Sequence, residues 1–176
     1  MTIETARLRL EPFTPQQFIA LIAEPERFIE LAGVPAAPGL REFFTSGEVQ
    51  ESWLANLRTL ETADPWTLGF AVIHREVRSV IGSAGFKGPP TGEGMVEVAY
   101  GIVPAFENRG FATEATTALV TYAFGHASVS LVRAHTLPAN NASTHVLTKC
   151  GFHRTGEVVD PDDGPVWRWE RVEKPG

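Results

Sequence analysis

Glu97 is the one carboxylate on an otherwise bare strand face, just upstream of a turn suited to binding an anion. Residues 94 to 115 read G-M-V-E-V-A-Y-G-I-V-P-A-F-E-N-R-G-F-A-T-E-A. The β-patterned run from Met95 to Val103 stops at Pro104, and a short turn containing Gly110 opens into a helix. The first amides of a helix entered this way have no intrahelical partners and carry the positive end of its dipole, so they form a seat for phosphate. No Gly-Lys-Ser/Thr follows and the three glycines of a dinucleotide fingerprint are absent, which excludes both familiar nucleotide loops. On a period of two, Val96, Val98, Tyr100 and Ile102 form a packed face, while Glu97, Ala99 and Gly101 leave the other nearly open. Small side chains there give an extended ligand room to lie against the backbone. A half-exposed strand with one solvated glutamate would show the same pattern.

The elements that must position these residues follow in order. Residues 5 to 11 alternate as a first strand, ended by Pro12. Thr14-Pro15 starts a helix whose apolar stripe is Phe18, Ile19, Leu21 and Ile22; it is interrupted near Pro25 and ends at Gly33. A Pro- and Gly-containing connection over residues 33 to 47 leads to a second helix, Glu48 to Thr62. Thr67 to His74 and Ser79 to Lys87 read as strands, and Gly88-Pro89-Pro90 turns into the central strand. After the helix that follows Gly110 come a strand over Val129 to Thr136, a short helix from Asn141 to Cys150, and two strands, Phe152 to Val159 and Val166 to Val172. The expected fold is a single mixed α/β domain over 1–176, with a mostly antiparallel sheet of about seven strands flanked by about four helices. The crossover after the central strand makes the next strand parallel to it. The two splay apart where their pairing lapses, between the fourth and fifth strands.

Composition narrows the function classes. A chain of 176 residues with 43% apolar and 20% charged residues is an ordinary globular protein. A net charge of −6 opposes a nucleic-acid surface; it would suit a cationic acceptor such as an amine, but a mild negative charge that serves only solubility is the simpler reading. The one cysteine, Cys150, excludes an intrachain disulfide and a multi-cysteine zinc site, and the histidines form no HExxH pair, so no metal is expected. Charges in M-T-I-E-T-A-R-L-R-L exclude a signal peptide, and no apolar run approaches a membrane span, so the expected location is cytoplasmic. Oligomeric state is open, a homodimer included.

Four segments then resemble, in order, the GNAT superfamily of acetyl-CoA-dependent N-acetyltransferases. Thr5-Ala6-Arg7-Leu8-Arg9-Leu10 looks like the opening strand of its Rim-type branch, the ribosomal-protein N-terminal acetyltransferases. E-V-A-Y-G-I-V-P over 97 to 104 is similar to the family's central strand. Glu107 to Ala112 stands where the pyrophosphate loop Q/R-x-x-G-x-G/A belongs, followed by Thr113-Glu114-Ala115. Asn140-x-x-Ser143 with Lys149-x-Gly151-Phe152 resembles the late motif N-x-x-S-x-x-x-x-x-K-x-G-F. The order and spacing together carry the resemblance over almost the whole chain. Two departures stand out: Glu107 replaces Gln or Arg, and Asn108 replaces a common glycine. Glu107 is expected to turn outward, away from phosphate. Leu147 stands where related enzymes often carry a tyrosine that protonates the leaving thiolate, so that role is unfilled.

The resemblance implies acetyl-CoA as cosubstrate and direct transfer to a primary amine in a ternary complex. Cofactor contacts are expected from the amides of Asn108, Gly110, Phe111, Ala112 and Thr113, from the Arg109 side chain, and from Asn140 on the pantetheine arm. A backbone amide near Ile102 or Val103, freed by a bulge, would bind the oxyanion. Glu97 is the candidate base, acting through water, and Ser143 the donor to the leaving sulfur. Asn140 or Asn141 could equally cap the short helix, with Ser143 solvating its first turn. The acceptor is expected to be an N-terminal α-amine of a protein or peptide. A small-molecule amine and a non-catalytic acyl-CoA-sensing module are the alternatives.

Overall fold

A computed structural model describes residues 1–45 and 51–173. Its sheet has eight strands in the order β1-β2-β3-β4-β5-β6-β8-β7. The strands are β1 (Ile3–Glu4), β2 (Leu8–Pro12), β3 (Phe70–His74), β4 (Ser79–Phe86), β5 (Met95–Ile102), β6 (Leu131–Thr136), β7 (His153–Asp160) and β8 (Gly164–Val172). All neighbours are antiparallel except β5 and β6, which are parallel. The β5–β6 pairing covers only Met95↔Leu131, Val96↔Val132 and Glu97↔Arg133, and beyond Glu97 the strands part. The expected splay is therefore present. The eighth strand is β1, a two-residue piece that folds back on Leu10 and Arg9.

The helices among the described residues are α1 (Pro15–Ala23), α2 (Pro25–Ala32), α3 (Glu42–Thr45), α4 (Glu51–Thr59), α5 (Pro65–Leu68), α6 (Phe111–Phe124) and α7 (Ala142–Lys149). Thr14 caps α1 in a reciprocal box with Gln17, and Pro15 takes the first turn, as its missing N–H allows. The interruption at Pro25 is a full break between α1 and α2, and α2 ends at Gly33 in the left-handed region. The expected start of the next helix at Glu48 lies outside the described residues. The strand expected from Thr67 begins only at Phe70. Asp64 caps a helical turn there by accepting from Trp66 N (3.1 Å) and Thr67 Oγ1 (2.8 Å), and Pro65 starts it.

Both faces of the sheet's centre are covered, since β3 is buried along its whole length. On one face α6 packs Tyr122 against Phe70 and Phe86. On the other, an aromatic cluster ties the N-terminal helices down: Phe18 lies 4.4 Å from Phe13, 4.9 Å from Phe44 and 5.8 Å from Trp53, ring to ring. Phe43 of α3 closes over Gly101 on this second face. Close contact of β4 with β5 depends on Gly82, where a Cβ would stand 2.3 Å from the Gly101 oxygen.

Candidate active site

Register decides which groups of β5 face the gap. Lys87 N donates to Glu97 O (2.9 Å) and Val103 N to Ile81 O (2.8 Å), so the odd-numbered residues of β5 turn their backbone groups toward β4. By antiparallel alternation, the even-numbered ones turn theirs the other way. The ladder to β6 last registers at Glu97, so the amides of Tyr100 and Ile102 face the widening gap. This corrects one expectation: the Val103 amide is paired and no oxyanion donor, and no bulge interrupts β5. The splay itself frees Ile102.

The gap passes through the sheet and joins two unlike faces. On the α3 face, Glu97 Oε2 meets Lys87 Nζ at 2.8 Å and Oε1 meets His135 Nδ1 at 3.1 Å. Arg168 Nε donates to His135 Nε2 at 3.2 Å, which leaves Nδ1 as the protonated nitrogen that donates to Glu97. Burial alone would raise the Glu97 carboxyl, but hydrogen bonds from Lys87 and His135, with the charges near them, hold it below its ordinary range. Behind this chain Arg133 pairs with Glu170 at 2.7 Å.

A cleft of about 520 Å³, in the range of a ligand pocket, opens on the α6 and α7 face and reaches through the gap to Gly101 and Phe43 of the α3 face. Ile102, Asn108, Gly110, Phe111, Ala112, Thr113 and Ser143 all line it. Asn108 (φ 60°) and Gly110 (φ 84°) are both left-handed, and no side chain caps α6. Its first amides are thus left to a ligand, which fits a pyrophosphate. Glu107 is exposed yet contributes to the cleft wall rather than turning clear of it. Positive charge comes instead from Lys149, with His145 beside it on α7.

Two expected contacts lie elsewhere. The Arg109 guanidinium stacks over Phe106 and Phe111, at 5.2 and 5.3 Å, and faces a separate recess shared with Arg7 and Arg75. Asn140 is exposed and outside the cleft wall. Asn141 is the cap of α7, accepting from Thr144 N at 3.1 Å while Thr144 Oγ1 accepts from Asn141 N. That relieves Ser143 of a capping role. Leu147 is fully buried, so nothing at that position reaches a ligand.

Phe43, Lys149 and Tyr100 are among the cleft residues that lie outside the sequence assignment. Phe43 sits in a segment with no readable pattern, and in the sequence Lys149 stands out only as part of a motif. The alternation of Tyr100 with Val98 and Ile102 reads as a core position. Tyr100 is half-buried and lines the cleft together with Ser143.

The phosphate-binding turn is held from behind by the N-terminal segment. Glu114, in the first turn of α6, accepts from the Thr5 hydroxyl, from Arg7 N (2.9 Å) and from Arg7 Nε (2.8 Å). Arg7 Nη1 continues to the Arg109 carbonyl at 2.9 Å.

An open mixed sheet parted between two parallel strands, with an uncapped helix at the mouth of the gap, defines an acyl-CoA-handling acetyltransferase fold. The chain belongs to the family described as the acetyltransferase (GNAT) domain, whose model matches residues 7–153. It is an acetyl-CoA-dependent acyltransferase. The uncharacterized N-acetyltransferase YoaA of Bacillus subtilis is 27% identical over 167 residues, covering 88% of this chain and 84% of the relative. The ribosomal-protein-S5-alanine acetyltransferase of Vibrio fischeri has a similar structure (TM-score 0.67, 17% identity, 98% of this chain and 96% of the other). So does an aminoglycoside acetyltransferase in complex with coenzyme A (TM-score 0.61, 20% identity, 94% of each chain). No helix among the described residues is long and apolar enough to cross a membrane, and none of their His, Cys, Asp and Glu side chains form a group of three or more suited to a metal ion.

Proposed function

We propose that this acetyltransferase modifies the N-terminal α-amine of a protein or peptide, by direct attack in a ternary complex. The observation that carries this reading is the state of Glu97. Its carboxylate already accepts from Lys87 and His135 and is held at low basicity, so it is a weak proton acceptor. An α-amine titrates near ~8 and a lysine-type amine near ~10.4, so at neutral pH the former offers roughly 250-fold more free base. A weak base suits that acceptor. The Rim-type opening segment and the Vibrio fischeri relative, a ribosomal-protein acetyltransferase by name, support the same choice.

Each group has a part. Acetyl-CoA, when bound, supplies the thioester. Amides of Asn108 and of Gly110 to Thr113 hold its pyrophosphate. The Ile102 N–H, facing the gap, takes the developing oxyanion. Glu97 receives the amine proton through water, on the face opposite the cleft. Ser143 donates toward the sulfur. Direct transfer is favoured because the only thiol, Cys150, is 4% exposed and engaged with Thr117 and the Thr113 carbonyl.

The test is release of free CoA from acetyl-CoA with two panels, peptides differing in N-terminal residue and small primary amines, measured from pH 6 to 9. Turnover on α-amines that changes little above pH ~8 is expected. Turnover confined to polyamines or aminoglycosides would overturn the assignment.

A further inference from the structure

We infer that Tyr100, alongside Ser143, receives the leaving sulfur as a neutral hydrogen-bond donor that keeps its proton. The inference rests on the acetyl-transfer reading of the cleft. Strand alternation puts Glu97 and Tyr100 on opposite faces of β5, three residues apart, at the point where β5 leaves β6. A carbonyl seated in the gap against the Ile102 amide is therefore open to an amine from the Glu97 side. Its sulfur then lies on the Tyr100 side. There Tyr100 shares the cleft wall with Ser143 in the first turn of α7. Leu147, buried in the core, supplies no donor of its own.

The step balances without an acid. The amine lone pair forms the C–N bond, the C–S electron pair goes to sulfur, and the amine proton leaves on the Glu97 face through water. The phenol O–H hydrogen-bonds the thiolate, which takes its proton from solvent on release. Burial pushes the Tyr100 phenol far above its ordinary value, the Cys150 thiol adds to the rise, and Ser143 opposes it. A free thiol titrates near ~8.5. A phenol so much less acidic than the thiol donates a hydrogen bond but does not give up its proton. The other ionisable groups around it are the buried Cys150 at the end of α7, His145 and Lys149 on α7, and Glu107 in the loop.

Two readouts test this. Tyr100→Phe keeps the ring and removes only the hydroxyl. A donor to a charged acceptor makes a difference of roughly 10- to 100-fold, so kcat should fall by that factor while CoA affinity stays within about twofold. The second readout needs no acceptor: ultraviolet titration of the thiol of bound CoA. In wild-type protein the bound thiol should titrate below free CoA, and in Tyr100→Phe that depression should largely vanish; Ser143→Ala should remove a smaller part. An unchanged bound-thiol titration in Tyr100→Phe would overturn the inference whatever the acceptor is. So would wild-type kcat in that variant on an amine that wild-type protein acetylates. Absence of turnover by wild-type protein with every amine would count against the acceptor assignment alone, the thiol titration still deciding the role of Tyr100.

Discussion

Glu114→Gln probes whether the N-terminal segment holds the phosphate-binding turn. The carboxylate collects three donors from Thr5 and Arg7, and Arg7 passes the restraint on to the Arg109 carbonyl. The Arg7 side chain is 44% exposed and that of Glu114 18%. The ion pair itself is therefore worth only ~0.5 kcal/mol. The bonds from Thr5 and the Arg7 amide to a partly buried charge contribute ~1.5 kcal/mol together once glutamine's remaining carbonyl is allowed for. The loss is about 2 kcal/mol, or a Tm lower by roughly 4 to 8 °C for a domain of this size. The pH dependence has a definite sign. Burial would raise the Glu114 carboxyl, but hydrogen bonds from Thr5 and Arg7 and the Arg7 charge hold it below its ordinary 4.5. A depressed folded value stabilises fully above the unfolded one and fades as pH falls through the folded one. Calorimetry should therefore show the full Tm gap near pH ~7 and a gap closing below pH ~4.5. Isothermal titration should show CoA binding weakened about three- to tenfold, as ~1 kcal/mol of that restraint is lost from the turn. A Tm gap independent of pH would refute the assigned bonds. A full Tm loss with unchanged CoA affinity would refute the link to the turn.

Two further perturbations address the sheet and the cleft. Gly82→Ala places a Cβ against the Gly101 oxygen and the Ile102 side chain, so β4 and β5 must separate; a Tm drop of at least ~6 °C is expected, with no change for Gly92→Ala, whose Cβ would meet nothing within 4 Å. Lys149→Ala should raise the Kd of CoA about fivefold at low salt and flatten its salt dependence; equal affinity at all ionic strengths would show that Lys149 does not meet the phosphates.

The phosphate-binding turn was legible because its signal is local: Pro104 ends a strand and Gly110 supplies a left-handed residue where a helix starts. The splay was legible from topology alone, since a parallel neighbour follows a helical crossover. Other features turned on contacts between distant segments. Whether Ile102 or Val103 carries the free amide depends on the pairing of β5 with β4, Gly82 opposite Ile102, and no property of either residue encodes that parity. Tyr100 alternates correctly for a core position, and only the placement of α7 opposite it makes that face a cleft. Arg109 is drawn off by the rings of Phe106 and Phe111. The choice between Asn140 and Asn141 was not legible, because Ser143 and Thr144 each stand three residues after one of them; the fold of the loop decides that Asn141 and Thr144 form the reciprocal cap. Asp64-Pro65, by contrast, was a readable start signal for α5.

The sheet is mechanically two plates, β1 to β5 and β6 to β8, joined along their backbones by a seam of three residue pairs and a clasp from Glu97 to His135. Past the seam, one plate presents unpaired peptide groups at Tyr100 and Ile102. The pantetheine arm of CoA carries amides of its own, so an occupant of the gap acts as a rivet across it. On the proposed placement of CoA, binding would lengthen the seam, and the plate formed by β6 to β8, which carries His135 and Arg168, would be stiffened by the same event that loads the thioester. Amide exchange along β6 and β8 should therefore slow on CoA binding, although neither strand borders the phosphate turn.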